Sequence, residues 1–358
     1  MRVTERGRRA LIATAMAAVV GGGGVAVGAA AFGPAAAEPS PVPAAAPAPA
    51  GTPTSASYAA VVREVLPSVV LIRTASGLGS GVVLDTKGNI VTNAHVAGDA
   101  TRFEVQVAGQ AEPRPARLVG TYPPDDLAVI RADDPSGLRP ARFGDSSRAQ
   151  AGDVVLAIGN PLGLSGSVTE GIISATGRAV TEPAAPGSPA ATLPDAIQTS
   201  APINPGNSGG ALVNTSGEVV GIPTLAAASP LSGAQAQGIG FAIPSNLARD
   251  IARQLITAGK VTNSHRAAIG AQVATVTGAD GAPAGTGVVA VTPGGPADQA
   301  GIRAGDVIRS FGGTPTPESE SLTQALASAR PGQSVTLTVA RGDQTLTTEV
   351  RLGELPGS

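Results

Sequence analysis

The chain reads as mainly β, arranged as two folded domains behind an export segment and a linker, and three observations carry that reading. Apolar residues form 42% of the sequence but aromatics only 2%, with no Trp, so the cores must be built from Val, Ile, Leu and Ala. The 48 Gly and 31 Pro supply turns at a density that suits short strands better than long helices. Short β-branched runs separated by Gly, Asn or Asp recur along the chain, and 358 residues exceed one typical domain.

In chain order, residues 1–37 read as a signal peptide or an N-terminal membrane anchor. Arg2, Arg6, Arg8 and Arg9 precede an uncharged run over 10–32. Ala35-Ala36-Ala37 before Glu38 offers a small-residue cleavage site, while the run is also long enough to span a bilayer, so both readings stand. Arg8-Arg9 before Ala10-Leu11-Ile12 fits a twin-arginine leader as well as an ordinary basic n-region. Residues 38–57 form a Pro/Ala-rich linker that cannot bury enough apolar surface to offset its ordering entropy. The first folded domain spans 58–259. Strands are expected at 68–74, 81–85, 89–92, 103–107, 127–132, 154–158, 171–175, 211–214, 219–222 and 240–243. Leu247, Ile251, Leu255 and Ile256 then mark a helix over 246–258, stopped by Gly259. Residues 260–266 are a polar linker, and 267–353 form a second, smaller domain.

Composition excludes several functions. A formal net charge of −2, with no aromatic and basic platform, argues against nucleic acid as a partner. The absence of Cys removes thiolate chemistry, disulfides and Cys-based metal sites. The two His lie apart and no carboxylates cluster at ligand spacing, so neither a metal nor any other cofactor is expected.

Three segments carry chemistry. His95, in Thr92-Asn93-Ala94-His95-Val96, follows a strand and suits a general base near neutral pH. Asp125 and Asp126 precede the apolar run Leu127-Ala128-Val129-Ile130. Either could accept the second imidazole N–H, fix its tautomer and stabilise the imidazolium. Ser208 centres the turn Asn204-Pro205-Gly206-Asn207-Ser208-Gly209-Gly210, where glycines let the N–H groups of Gly206 and Ser208 converge on a developing oxyanion. The order His, Asp, Ser in an all-β chain is the chymotrypsin order. The same turn also fits the G-x-S-x-G elbow of α/β-hydrolases, but that fold places a helix after the Ser and its His later still. Here a strand follows, and the only later His is His265 in the linker.

These residues resemble the HtrA (Do-like) serine proteases. The matching segments include Gly79-Ser80-Gly81-Val82-Val83, Asn89-Ile90-Val91-Thr92-Asn93-Ala94-His95-Val96, Asp126-Leu127-Ala128-Val129, Ala157-Ile158-Gly159-Asn160-Pro161-Leu162-Gly163-Leu164, Val168-Thr169-Glu170-Gly171-Ile172-Ile173-Ser174, Pro205-Gly206-Asn207-Ser208-Gly209-Gly210 and Gly240-Phe241-Ala242-Ile243-Pro244. The resemblance implies a trypsin-like double β-barrel with the triad His95, Asp126 and Ser208. It also implies an oxyanion hole at Gly206, Asn207 and Ser208 and a regulatory loop at 162–166. Pro202, six residues before Ser208, stands where trypsin-like enzymes selecting basic side chains carry an acid. The implied pocket, lined by Pro202, Ile203, Gly221 and Ile222, takes a small or medium apolar side chain. Ser200 and Pro223 depart from the family's usual Asp and Asn at those places.

In the second domain, Pro293-Gly294-Gly295-Pro296-Ala297, continuing through Gly301-Ile302-Arg303-Ala304-Gly305-Asp306, resembles the PDZ domains of the same proteases, a small α+β fold. Strands at 287–291, 335–340 and 345–351 and a groove helix over 322–329 are expected. Ala268, Ile269, Gly270 and Ala271 would form the loop that captures a C-terminal carboxylate by β-augmentation. The implied activity is an exported serine endopeptidase acting on unfolded or specific envelope proteins in quality control, with a chaperone-like or PDZ scaffold protein as the alternative. Extended polypeptides, C-terminal peptides, a homotrimer and the membrane are the implied partners.

Overall fold

A computed structural model describes residues 55–356, apart from 76, 111, 161–165, 183–190, 205, 229–234 and 279–280. The signal or anchor at 1–37, most of the 38–57 linker and the loop at 162–166, except Gly166, therefore lie outside the described residues.

The described residues open with a helix: α1 (Ser55–Val65) begins inside the stretch read as linker at 38–57. Val61 and Val65, one turn apart, are buried in the core and drive this. Six strands follow and close a barrel in the order β1-β2-β3-β6-β5-β4. They are β1 (Val69–Arg73), β2 (Leu78–Val83), β3 (Asn89–Thr92), β4 (Arg102–Val107), β5 (Arg114–Tyr122) and β6 (Leu127–Ala132), with the short helix α2 (Ala94–Ala97) after β3. A second barrel closes in the order β10-β11-β12-β9-β8-β7. Its strands are β7 (Val154–Gly159), β8 (Ser167–Glu182), β9 (Ala191–Thr199), β10 (Ala211–Asn214), β11 (Val219–Ala228) and β12 (Gln235–Pro244).

Period-two alternation builds both interiors and the seam between them. In β6, Ala128, Ile130 and Ala132 fill the first barrel while Leu127 and Val129 face the seam. In β7, Val155 and Ala157 fill the second barrel while Leu156 and Ile158 face the same seam. Strands β5 and β9 do not show in the sequence pattern because Pro115 and Gly120 interrupt one, and Pro194 and Asp195 the other. Barrel closure overrides those breakers, with a register shift between Leu118 and Gly120. The helix α3 (Ser245–Ala258) buries Ala248, Ile251, Ala252 and Leu255 and ends at Gly259, as the spacing predicts.

The second domain holds β13 (Ala267–Ala268), β14 (Ala271–Thr277), β15 (Pro283–Val291), α4 (Pro296–Gln299), β16 (Val307–Phe311), β17 (Thr314–Pro315), α5 (Ser319–Ala327), β18 (Ser334–Arg341), β19 (Gln344–Arg351) and β20 (Gly353–Glu354). Its main sheet runs β14-β15-β16-β18-β19, which leaves β14 at an edge, and β13 pairs separately with β20. The two domains meet where Arg266 Nη1 reaches Asp125 Oδ1 at 2.9 Å, and in the linker Ser264 Oγ donates to the Leu355 carbonyl at 2.8 Å.

Candidate active site

The site lies at the seam, where strand ends of both barrels converge. Pro123 and Pro124 start a tight turn that leaves Asp126 in the left-handed region, at φ 50° and ψ 43°. Few residues without glycine's freedom adopt this, Asp among them. The turn drives the Asp126 carboxylate into the cleft, where it is only 3% exposed. Asp126 Oδ1 accepts the His95 backbone N–H at 2.9 Å, and Oδ2 faces His95 Nδ1 at 2.8 Å. Thr224 Oγ1, from β11 of the other barrel, donates to the same Oδ2. The Asp126 carbonyl accepts from Ala94 N–H and Asn93 Nδ2, both at 3.1 Å, so one residue fixes both ends of the α2 entry.

Asp125, the neighbour that chemistry alone left equivalent, turns the other way. It is fully buried on Arg266, and its Oδ2 has no partner among the described residues. Burial pushes its carboxyl up to about 6, with Arg266 only partly opposing the shift.

Ser208 sits in the turn before β10. Its Oγ donates to the Thr224 carbonyl at 3.3 Å, so Thr224 touches both Asp126 and Ser208. Gly209 has φ +78°, and a Cβ there would lie 2.2 Å from the Ser80 carbonyl oxygen, which makes glycine obligatory. The N–H groups of Asn207, Gly209 and Gly210 donate to the carbonyls of Asn204 (3.0 Å), Pro223 (2.9 Å) and Asn207 (2.9 Å). Those of Gly206 and Ser208 have no acceptor among the described residues. Asn207, expected as a third contributor to the oxyanion hole, has thus spent its N–H, and its side-chain amide donates to the Pro202 carbonyl at 3.1 Å.

Residues 79–222 match the trypsin-like peptidase domain family, and residues 267–352 match a PDZ domain family. The chain is 38% identical to the serine endoprotease DegS of Salmonella typhimurium, over 85% of this chain and 88% of DegS. It is also 38% identical to the serine protease PepD of Mycobacterium tuberculosis, over 93% of this chain and 74% of PepD. The chain belongs to the HtrA family of serine endoproteases. Among solved structures, a serine endoprotease from Yersinia pestis matches at 38% identity and TM-score 0.56, covering 85% of this chain and all (100%) of that one. The HtrA-type protease AlgW, solved with a decapeptide, matches at 34% identity and TM-score 0.55, over 84% of this chain and 99% of that chain.

Within this HtrA frame, the residues expected to line the pocket divide. Ile222 is fully buried in the seam core, on the face of β11 opposite Val220, so it cannot line an open pocket. Gly221 is buried against β12, where a Cβ would lie 3.1 Å from Ala242 Cβ. Pro202 is exposed, and its carbonyl also accepts from Thr169 Oγ1 at 2.8 Å. Ile203 packs into the second barrel beneath Gly240, where a Cβ would lie 2.4 Å from Ile203 Cγ1. Ser200 Oγ accepts from Ile172 N–H at 3.0 Å, and Pro223 keeps the carbonyl that pins Gly209 while lacking a donor.

In the PDZ domain, Ala268 pairs with Gly353 and Ala271 with Val291, so only Ile269 and Gly270 form the connection. Sequence reasoning missed Thr224, Ser80, Thr92 and Asn160. Nothing in a Thr, Ser or Asn within or beside an ordinary strand signals a partner on a strand distant in sequence.

Proposed function

We propose that this HtrA protease cleaves unfolded or specific envelope proteins by acyl transfer, with Ser208 as nucleophile, His95 as general base and acid, and Asp126 as the orienting acid. The observation that carries the assignment is the 2.8 Å contact of His95 Nδ1 with Asp126, beside a serine tied to the same Thr224. With Nδ1–H donating to Asp126, Nε2 holds the lone pair that accepts the Ser208 proton. The hydroxyl turns from the Thr224 carbonyl to Nε2 as Oγ attacks the peptide carbonyl. The oxyanion forms against the N–H groups of Gly206 and Ser208, each worth on the order of 3 kcal/mol of transition-state stabilisation. His95 then protonates the leaving amine, and water, activated the same way, hydrolyses the acyl-enzyme. Asn207 acts as a brace; of the residues expected to line the pocket Pro202 is exposed while Ile203 and Gly221 are buried, and the lack of an acid at Pro202 favours a small or medium apolar side chain.

The edge strand β14 beside α5 suits a C-terminal peptide added by β-augmentation, with Ala268, Ile269, Gly270 and Ala271 at its carboxylate end. Export to the envelope is supported by relatives such as the periplasmic serine endoprotease DegQ of Escherichia coli, 38% identical over 77% of this chain. Among the described residues no helix is long and apolar enough to cross a membrane; an anchor formed by residues 10–32 belongs to this proposal. Assembly as a homotrimer belongs to the same reading.

Casein cleavage by the wild-type chain beside Ser208→Ala, with product termini read by mass spectrometry, tests this. Loss of cleavage in the variant, with apolar residues before the cut sites, is the expected result. Equal cleavage in both overturns it, and absence of cleavage in both favours a binding protein.

A further inference from the structure

We propose that Ser80 is a positioning residue for peptide-bond cleavage, its hydroxyl holding the oxyanion turn in working shape from the opposite barrel. The inference rests on the assignment of Ser208 as nucleophile and of Gly206 and Ser208 as oxyanion donors. Ser80 lies in β2 and is fully buried. Its Oγ donates to the Gly206 carbonyl at 2.5 Å and accepts the Asn160 N–H at 2.8 Å. Its own N–H donates to the Ser208 carbonyl at 3.0 Å, and its carbonyl accepts Thr92 Oγ1 at 2.6 Å. One residue therefore grips the turn at carbonyls on both sides of Asn207, and is itself held from β3 and from the end of β7.

The consequence follows from the peptide planes. The unit joining Gly206 to Asn207 is clamped at both ends, its carbonyl by Ser80 Oγ and its N–H by the Asn204 carbonyl at 3.0 Å. The next unit is clamped only at the Asn207 carbonyl, by Gly210 N–H at 2.9 Å, which leaves the Ser208 N–H for substrate. Gly206 stands at φ +110° without a Cβ, so these bonds, rather than sterics, keep it from rotating. The Gly206 carbonyl packs against Gly159, where a Cβ would lie 2.5 Å away, and Ser80 is its only donor among the described residues. Without the hydroxyl, a buried carbonyl is left unsatisfied. Rotation about Gly206 relieves that and turns the segment bearing Ser208 relative to the Gly206 N–H, so the two donors no longer converge on one oxyanion.

The test uses the full chain as wild type, Ser80→Ala, the near-isosteric Ser80→Cys, and Ser208→Ala. Active sites are counted by completed labelling with a fluorophosphonate, and kcat and KM are measured per labelled site on a peptide substrate. Affinity for a peptide boronate, which forms a tetrahedral adduct, is compared with affinity for the product peptide. In both Ser80 variants kcat per site is expected to fall about 10- to 100-fold at nearly constant KM, less than the roughly 10²- to 10³-fold loss when a donor is removed outright. Boronate affinity falls in step while product affinity holds. A loss confined to Tm and to the fraction of labelled sites, with kcat per site unchanged, overturns the proposal and makes Ser80 merely structural. If Ser80→Ala does not fold, Ser80→Cys decides. Cleavage that survives Ser208→Ala overturns the nucleophile assignment instead, and the proposal with it.

Discussion

The catalytic cleft and the junction between the two domains each bury one carboxylate, and the two come from adjacent residues. Asp126 in the cleft is met by the His95 backbone N–H, His95 Nδ1 and Thr224 Oγ1. Asp125 at the junction has a single charged partner, Arg266, and one oxygen with no partner among the described residues. A carboxylate met by donors from both barrels is held in one orientation, which is what a residue steering an imidazole requires. A carboxylate with one partner in a dry place carries a desolvation cost that shows as a raised pKa. Neighbouring identical side chains thus take different roles because the left-handed turn at Asp126 sends them to opposite sides.

Neutralising each acid in turn separates the two roles. Asp126→Asn should lower kcat by on the order of 10⁴-fold, since the amide disrupts the tautomer that leaves Nε2 free. Asp125→Asn should leave kcat per labelled site within a few-fold of wild type. Equal losses in steady-state assays would mean that the two residues act as one unit.

The junction should answer in stability instead. Arg266→Met strands a buried charge on Asp125 and should cost about 3–5 kcal/mol in denaturant unfolding, while the Asp125→Asn/Arg266→Met pair should recover much of it. A double variant no more stable than the single would show that Arg266 acts through packing alone. Thr224→Val tests the cleft side of the comparison. Loss of one hydrogen bond to a charged group, about 1.5–3 kcal/mol, should appear as a roughly 10- to 100-fold fall in kcat.

The smallest effect is pH dependence. Because burial raises the Asp125 carboxyl from 3.8 to about 6, the folded protein binds more protons than the unfolded chain between those values. Its contribution to stability is therefore fully present below about 4 and is lost as pH rises through about 6. Thermal melts across that window should show wild type losing Tm relative to Asp125→Asn as pH rises; parallel curves would contradict the shift.

Much of this was legible in the chain alone because the relevant signals are local. The β-branched runs in β1, β3, β6, β7 and β10, the face of α3 and its Gly259 stop, and the His95 and Ser208 segments each rest on neighbours a few residues apart. β5 and β9 were not legible, since Pro115 and Pro194 read as breakers until barrel closure supplies partners on both sides. Ile222 was misplaced as a pocket residue because position in a motif does not say which face of β11 a side chain takes.

Legible in the sequence were the two-domain, mainly β organisation, the candidate nucleophile and base, and the glycines the Ser208 turn requires. Those are matters of residue chemistry and short-range conformational freedom. The family resemblance already pointed to Asp126, but residue chemistry left Asp125 equivalent; it took the folded chain to show the contact of Asp126 with His95, the bridge of Thr224 between the acid and the serine, and the grip of Ser80 on the Ser208 turn. Each of these depends on groups far apart in sequence, up to 126 positions for Ser80 and Gly206: the pairing of β3 with β6 inside the first barrel brings His95 to Asp126, and the packing of one barrel on the other brings Thr224 to Asp126 and Ser80 to Gly206.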